Sequence, residues 1–252
     1  MRVLVTGAEG TIGTALRAHL GDRYELVSLT LTPQEFPSHV GDIADLEAIR
    51  PAFENVDAVV HLAASASLEA PWDDVLHNNI VGTYNVLEAA RQARVSRVVF
   101  ASSNHVVGMY ELDGAPAIYD VEDERCYDHT AEIRPDSLYG VSKAYGEALA
   151  RMYMERYGLR VFCLRIGAVR ANDDPGAPEP TPLIDLDADG QRNRLRAVWL
   201  SQRDCAELIA ACLEADVTWA VVYGVSANPR RFWDLDHARE LLGWEPQDSA
   251  PP

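Results

Sequence analysis

The first two thirds of the chain alternate nearly continuous apolar runs with segments in which apolar residues recur every three or four positions. The runs are typical of buried strands and occur at 2–6, 25–31, 58–63, 97–102 and 160–166. The segments have helical spacing and occur at 11–20, 71–94 and 137–157. Because apolar strands that alternate with helices are buried on both faces, we predict an α/β fold with a doubly wound parallel sheet.

The regular alternation weakens after Gly167. Residues 172–190 contain five Asp and four Pro, which predicts a loop that is either an insertion without a role or a lid. Periodicity predicts three further elements, which are helices at 201–215 and 235–242 and a strand at 220–223. We therefore predict a core over 1–170 and a small C-terminal substrate-binding cap over 171–252. Strand 220–224 returns to the core, so that the chain forms one compact unit.

The charge of the chain excludes several kinds of partner. Lys and Arg number 22 and Asp and Glu number 39 in 252 residues, which gives a net charge of −17. Such a surface argues against binding to nucleic acid or to an anionic membrane. The chain has no apolar run of bilayer length, no signal-peptide pattern and no closely spaced cysteine pair. We therefore predict a cytoplasmic protein without a metal site that acts on small molecules.

The first predicted strand runs into a turn with glycines at positions 7, 10 and 13, where a helix begins. In this context Gly7 permits a tight turn, Gly10 lets a pyrophosphate approach the backbone and Gly13 allows close helix–sheet packing. The start of the helix also offers free N–H groups to phosphates. The turn therefore predicts a Rossmann fold that binds NAD or NADP.

The choice between the two cofactors stays open in the sequence. The second predicted strand ends in Thr30-Leu31-Thr32, without the acidic residue that often binds the adenosine ribose. No arginine stands there to receive a 2′-phosphate either. Asp42 and Ile43, beyond the next loop, are candidates to hold the adenine amino group, and the alternative role for Asp42 is a helix N-cap.

Tyr139 and Lys143 lie four residues apart near the start of a predicted helix, so they share a face. A cation beside a phenol favours the phenolate, so we expect Lys143 to lower the pKa of Tyr139. Such a tyrosine takes a proton from an alcohol while a hydride leaves for a nicotinamide. Ser103 follows the fourth apolar run, at the edge of the sheet where ligands bind, and is placed to hydrogen-bond the same oxygen. Lys143 is also the single lysine among the 22 basic residues, which indicates that a compact ammonium is required.

These residues resemble the extended short-chain dehydrogenase/reductase family, the NAD-dependent epimerase/dehydratase group. The matching motifs run in family order over 1–170 and are Gly7-x-x-Gly10-x-x-Gly13, Asp42-Ile43, His61-Leu62-Ala63-Ala64, Asn79-Ile80-x-Gly82-Thr83, Ser102-Ser103, Tyr139-x-x-x-Lys143 and Leu164-Arg165-Ile166-Gly167. The resemblance implies a catalytic set of Ser103, Tyr139 and Lys143. It implies a cofactor site made of Gly7, Gly10, Thr11, Ile12, Gly13, Asp42, Ile43, Leu62, Ala63, Ala64, Asn79, Tyr139, Lys143 and Ile166.

A narrower resemblance covers nearly the whole chain and points to uronate dehydrogenases and to related archaeal dehydrogenases of an aldose or a sugar phosphate. Its motifs are Ala101-Ser102-Ser103-Asn104-His105, Leu138-Tyr139-Gly140-Val141-Ser142-Lys143, Val222-Tyr223-Gly224-x-Ser226-Ala227-Asn228 and Leu241-Leu242-Gly243-Trp244-x-Pro246-x-Asp248. It implies oxidation of the anomeric hydroxyl of a hexuronic acid to a lactone. The implied sugar-binding residues are Ser65, Ser103, Asn104, His105 and Arg194, of which Arg194 pairs with the carboxylate.

Two departures from the uronate enzymes bear on the substrate. Ala168 stands where a uronate-binding serine is expected, and segment 172–190 is longer. Arg192, Arg194 and Arg196 together offer an alternative site for a phosphate. From the resemblance as a whole, we expect an NAD(P)-dependent oxidoreductase with a uronate as the favoured sugar.

Other functions remain open at this stage. The alternatives are an aldose or glucose-6-phosphate 1-dehydrogenase, an NDP-sugar epimerase or dehydratase, and a module that binds the cofactor without catalysis. Because members of this family commonly dimerise, a homodimer or a higher homo-oligomer is expected as well.

Overall fold

A computed structural model describes all 252 residues. The strands are β1 (Arg2–Thr6), β2 (Glu25–Thr30), β3 (Ser38–Val40), β4 (Ala58–His61), β5 (Arg97–Ser103), β6 (Arg160–Ile166) and β7 (Trp219–Gly224). The α-helices are α1 (Thr11–Leu20), α2 (Leu46–Ile49), α3 (Trp72–Asp74), α4 (Gly82–Gln92), α5 (Met109–Gly114), α6 (Leu138–Tyr157), α7 (Ala188–Val198), α8 (Gln202–Glu214) and α9 (Asp236–Leu242). None of the helices is both long enough and apolar enough to cross a bilayer.

The seven strands form one parallel sheet in the order β3-β2-β1-β4-β5-β6-β7. From β1 the chain builds outward to β3 and then crosses to β4 on the other side of β1. The boundary between β1 and β4 is therefore the point where the strand order reverses, and sheets of this kind bind ligands beside it at their carboxyl ends. The predicted doubly wound parallel sheet is confirmed.

Successive side chains of the central strands enter two separate cores. Val3 and Val5 of β1 pack into the core that contains α1 and α8, whereas Leu4 packs into the core that contains α4 and α6. Val99 and Phe100 of β5 divide in the same way. Because helices cover both faces, neither face of the sheet needs polar residues, which explains the continuous apolar runs of the sequence.

A buried ion pair anchors α6 to the sheet. Glu147 of α6 lies 3.0 Å from Arg165 of β6, and its Oε1 accepts a hydrogen bond of 2.6 Å from Ser102 of β5. Both charged side chains are at most 6% exposed. Removing one partner would leave the other charge buried and unpaired, at a cost of about 3–5 kcal/mol. The contact therefore fixes the helix that carries Tyr139 against the strand that carries Ser103.

The sequence analysis missed four elements, which are the short helices α2 and α5, the strand β3 and the helix α7. β3 is a three-residue edge strand with two exposed positions, too short and too polar to stand out. α7 begins inside the segment predicted as the loop 172–190, because Asp187 caps it by accepting a hydrogen bond of 2.8 Å from the Gly190 N–H. The remaining predicted strands and helices end within two residues of their predicted bounds, except for the helix at 71–94.

The helix predicted at 71–94 is divided in the structure. A π-helical segment (Val75–Val81) lies between α3 and α4, and all three continue one another. Such wide turns often occur at functional sites. Asn79, one of the residues assigned to the cofactor site, lies in this segment. The predicted division of the chain at residue 170 stays a prediction, although β7 does pair with β6 along its length.

Candidate active site

A cavity of about 660 Å³ lies along the carboxyl ends of β1, β4, β5 and β6, a size typical of small-molecule sites. It brings together most residues that the sequence assigned to the site. These are Gly7, Gly10, Thr11, Ile12, Gly13, Asp42, Ile43, Leu62, Ala63, Ala64, Ser103, Asn104, His105, Tyr139, Lys143, Ile166 and Arg194. Ser65 and Asn79 do not line the cavity.

The glycine loop has the geometry of a phosphate cradle. Gly7 has φ +66°, and a Cβ there would lie 2.8 Å from the backbone nitrogen of Ala63, so only glycine fits. Gly10 is the N-cap of α1. Because glycine has no side chain to accept a hydrogen bond, the first N–H groups of the helix lack protein partners. These N–H groups fit a pyrophosphate, because helix N-termini carry partial positive charge.

The part of the cavity near the end of β2 is lined by two carboxylates, Asp42 and Glu9. Asp42 accepts a hydrogen bond of 2.9 Å from the Ala44 N–H and one of 2.8 Å from His77. The alternative N-cap role for Asp42 is wrong, because the N-cap of α2 is Asp45. Glu9 of the glycine loop accepts a hydrogen bond of 3.3 Å from the Leu31 N–H, just beyond β2. Although the sequence has no acidic residue at the end of β2, the fold places the Glu9 carboxylate of the glycine loop next to that end.

The three residues of the predicted catalytic set lie on one wall of the cavity. Ser137 caps α6 and starts the helix so that Tyr139 and Lys143 are one turn apart. Lys143 Nζ lies 5.5 Å from the centre of the Tyr139 ring. Ser103 ends β5, and its Oγ accepts a hydrogen bond of 3.2 Å from the His105 N–H. A phenol, an ammonium and a hydroxyl are thus placed on the cavity that the glycine loop also lines.

The pKa values of this group differ from the sequence expectation. Burial raises the pKa of Tyr139 to about 12; a hydrogen bond with Ser103 lowers it, and the Asp136 carboxylate raises it further. Burial also lowers the pKa of Lys143 to about 7. The expected lowering of the Tyr139 pKa by Lys143 is therefore wrong for the chain by itself, because the loss of solvent is the main cause of the shift and raises the pKa.

Asn79 and Ser65 lie outside the cavity lining and are joined to each other by hydrogen bonds. Asn79 Oδ1 accepts a hydrogen bond of 2.7 Å from the Ser65 N–H, and its Nδ2 donates to the Ser65 carbonyl at 3.0 Å. The same Nδ2 donates to Ser142 Oγ at 2.9 Å. Asn79 thus clamps the segment after β4, which includes Ala63 and Ala64, to α6. The implied cofactor role of Asn79 and the sugar-binding role of Ser65 stay predictions.

A histidine–carboxylate pair lies beside the tyrosine. His105 Nδ1 is 2.6 Å from Asp136 Oδ2, and the Asp136 side chain is 1% exposed. The His105 ring meets the Tyr139 ring edge to face, with centres 6.0 Å apart. Asp136 therefore fixes the orientation of a ring that lines the cavity. Its only sequence signal is its position next to Ser137, the cap of α6.

The arginine expected to bind the sugar carboxylate already has a carboxylate partner. Arg194 Nε lies 2.7 Å from Glu111 Oε1, and both side chains are at most 10% exposed. The three-arginine phosphate site is not formed. Arg192 pairs with Asp189, and Arg196 donates to the Pro252 carbonyl at 2.9 Å. Of the three arginines, only Arg194 lines the cavity.

The sheet, the glycine loop and the Ser–Tyr–Lys wall together define a nicotinamide-dependent enzyme of the short-chain dehydrogenase type. The model of the NAD dependent epimerase/dehydratase family matches residues 3–189. The chain therefore belongs to this family, as the sequence motifs predicted.

Several proteins similar to this chain over nearly its whole length are sugar dehydrogenases. An NAD-dependent glucose-6-phosphate dehydrogenase from Haloferax volcanii is 40% identical over 98% of this chain and 94% of its own. An L-arabinose 1-dehydrogenase (NAD(P)(+)) from the same organism is 38% identical over 99% of this chain and 97% of its own. The crystal structure of a mutant uronate dehydrogenase from Agrobacterium tumefaciens complexed with NAD is 33% identical, with a TM-score of 0.81, over 100% of this chain and 90% of that one. The predicted resemblance to uronate and related sugar dehydrogenases is confirmed.

Proposed function

We propose that this protein is an NAD-dependent sugar dehydrogenase that oxidises the anomeric hydroxyl of a sugar to a lactone. The observation that carries the proposal is the placement of Ser103, Tyr139 and Lys143 on the wall of the cavity that the glycine loop lines. The similar proteins agree with it, since they are named as dehydrogenases of glucose 6-phosphate, L-arabinose and uronate. The prediction of an oxidoreductase that acts on a sugar is confirmed, whereas the carbon oxidised and the particular sugar are proposals.

Each residue of the wall has a proposed role: Lys143 would hold the nicotinamide ribose, and the other two act on the sugar. Tyr139 removes the proton of the sugar hydroxyl, and Ser103 donates a hydrogen bond to the same oxygen as charge develops on it. When bound, a nicotinamide would supply the acceptor for the hydride of the sugar carbon, and the positive charge of its oxidised form would favour the Tyr139 phenolate. The sugar loses one hydrogen as a proton and one as a hydride, and leaves as a lactone. General-base catalysis of this kind contributes about 10²–10⁴-fold to the rate.

Glu9 supports a preference for NAD over NADP. Its carboxylate lies beside the backbone just beyond β2, and it lines the cavity at the end where the adenosine ribose of a dinucleotide binds in this fold. A 2′-phosphate placed there would meet a like charge. The 2′-hydroxyl of NAD would instead find a hydrogen-bond acceptor.

The test is a reduction assay with NAD and NADP in parallel against glucose, xylose, arabinose, glucuronate, galacturonate and glucose 6-phosphate. We expect cofactor reduction in proportion to sugar consumed, with NMR showing the lactone and then the open acid. Interconversion of sugars with no net reduction would indicate an epimerase or dehydratase instead. Cofactor binding without turnover of any sugar would indicate a non-catalytic module.

The assembly state and the compartment stay proposals. α4 and α6 are the long helices on one face of the sheet and expose Tyr84 and Val141. A second copy of this chain is the proposed partner for this face. Sedimentation of the purified protein tests this directly. The cytoplasmic location stays a prediction.

A further inference from the structure

We infer that Glu111 makes this cavity select sugars that carry no negative charge, because it neutralises Arg194, the cation placed to receive one. The inference rests on the proposed function and concerns which sugars the site accepts. It replaces the expectation from the sequence that Arg194 binds the carboxylate of a uronate.

The pair is built into the interior of the protein. Arg194 Nε is 2.7 Å from Glu111 Oε1, and its Nη2 donates to Oε2 at 3.5 Å. Glu111 is 2% exposed, and the buried Tyr119 donates a hydrogen bond of 2.9 Å to the same Oε1. The carboxylate is therefore held from two sides, and the charge of Arg194 is cancelled at short range.

Only one member of this group reaches the cavity. Arg194 lines it, whereas Glu111 and Tyr119 lie behind Arg194 and do not line it. Glu111 belongs to α5 and Tyr119 to the 3-10 turn that follows, so the segment after β5 supplies both partners to α7. Glu111 thus acts on a bound sugar through Arg194, as a positioning residue.

The neighbouring cationic groups are paired as well. Arg170 forms an ion pair with Glu179, and both line the cavity. His105 has Asp136 as its partner. Burial lowers the pKa of Arg194, but the Glu111 carboxylate raises it above its usual value, and Asp136 adds a smaller contribution in the same direction. Apart from the amine beside Tyr139, each basic side chain that lines the cavity therefore has a carboxylate partner.

An anionic sugar would disturb this arrangement. A uronate or sugar phosphate would either share Arg194 with Glu111, which places two anions together, or displace Glu111 and leave it buried without a partner. A neutral hydroxyl accepts a hydrogen bond from the same guanidinium and leaves the pair intact. Ala168, which lines the cavity, also offers no hydroxyl to a carboxylate.

The first test uses the unaltered protein and NAD. We expect kcat/KM for the best neutral aldose to exceed kcat/KM for glucuronate, galacturonate and glucose 6-phosphate by about tenfold or more. A preference for a uronate or for the sugar phosphate would overturn this inference but leave the proposed function standing. Failure to oxidise any of these sugars would overturn the proposed function and the inference with it.

The second test changes the charge without changing the shape. Glu111→Gln keeps the volume and an acceptor for Tyr119, but leaves Arg194 with an unneutralised charge. We expect the ratio of kcat/KM for glucuronate to that for the best neutral aldose to rise by about tenfold, mainly through the KM for glucuronate. The matched control is Asp113→Asn, an exposed acid of the same helix that pairs with Arg134, and it should leave the ratio unchanged. An equal ratio in Glu111→Gln and the unaltered protein would contradict the role of Glu111.

Discussion

Lys143 Nζ donates a hydrogen bond of 2.7 Å to the carbonyl oxygen of Ala101, which ties the helix that carries Tyr139 to the strand that ends in Ser103. Lys143 is only 4% exposed. The side chain is therefore oriented by the backbone of β5. The Tyr139 phenol and the Ser103 hydroxyl are therefore held in fixed positions on one wall of the cavity. Catalysis by hydrogen-bond donors and acceptors requires such preorganisation.

Replacement of the phenol tests the proposed base. Tyr139→Phe removes the hydroxyl and keeps the ring that meets His105. We expect turnover of the best sugar to fall by about 100-fold or more, since general-base catalysis is lost, while NAD still binds. Steady-state kinetics and calorimetric titration of NAD measure the two effects.

The control for this change lies on the same helix. Tyr145 is partly buried but does not line the cavity, so Tyr145→Phe should keep both turnover and NAD binding. Turnover of Tyr139→Phe within about threefold of the unaltered protein would exclude Tyr139 as the base.

The burial of Lys143 predicts a dependence of stability on pH. Its pKa falls from 10.5 to about 7, so between these values the unfolded chain binds a proton that the folded chain does not. Burial of Lys143 therefore opposes folding most below about pH 7, and the penalty declines as the pH rises. Lys143→Met removes this penalty, so its stability relative to the unaltered protein should be higher at about pH 6 than at about pH 9, by roughly 3 kcal/mol.

Urea unfolding of both proteins at the two pH values measures this difference. Arg151→Met, at an exposed position of the same helix, is the control and should show no such trend. The same stability difference between Lys143→Met and the unaltered protein at both pH values would contradict the lowered pKa of Lys143.

The order of the strands and helices was predictable because each depends on a local pattern. β1 and β5 each contain an uninterrupted run of buried apolar residues, and the capping serine of α6 stands directly before its helix. The Ser–Tyr–Lys wall was equally predictable, since a helix repeat and a strand end place these residues. Periodicity alone does not say which residues pair across the fold, however.

The contacts that distinguish this cavity were not predictable for that reason. Glu111 and Arg194 are 83 positions apart in the sequence, and neither the α5 segment nor the polar α7 carries a strong apolar pattern. The pKa of Tyr139 was predicted with the wrong sign, because the sequence shows the neighbouring amine but not the burial of the ring. Interactions whose strength or sign depends on burial can be predicted only from the packed structure.

Two glycines of the loop should separate cofactor binding from folding. A Cβ on Gly10 would lie 3.4 Å from the Gly7 carbonyl oxygen, an ordinary contact, so Gly10→Ala should fold normally. It should nevertheless weaken NAD binding by about tenfold or more, because the added methyl occupies the place where the pyrophosphate approaches the backbone.

Gly13 should behave in the opposite way. A Cβ there would lie 2.5 Å from the carbonyl oxygen of Ala8, and the backbone must move to relieve the contact. We expect Gly13→Ala to lose about 1–3 kcal/mol of stability. Thermal unfolding and NAD titration of both variants distinguish the two effects. Unchanged NAD affinity in Gly10→Ala would exclude a pyrophosphate at this turn.

Glu9 provides the test of cofactor preference. Its carboxylate is exposed and stands beside the Leu31 N–H, so a 2′-phosphate nearby would meet about 1 kcal/mol of repulsion in water. Glu9→Gln removes the charge, and we expect kcat/KM for NADP relative to NAD to rise about fivefold at low ionic strength, with a smaller rise at high salt. Glu54→Gln, at an exposed position that does not line the cavity, should leave the ratio unchanged. An unchanged ratio in Glu9→Gln would mean that this acid does not face the ribose.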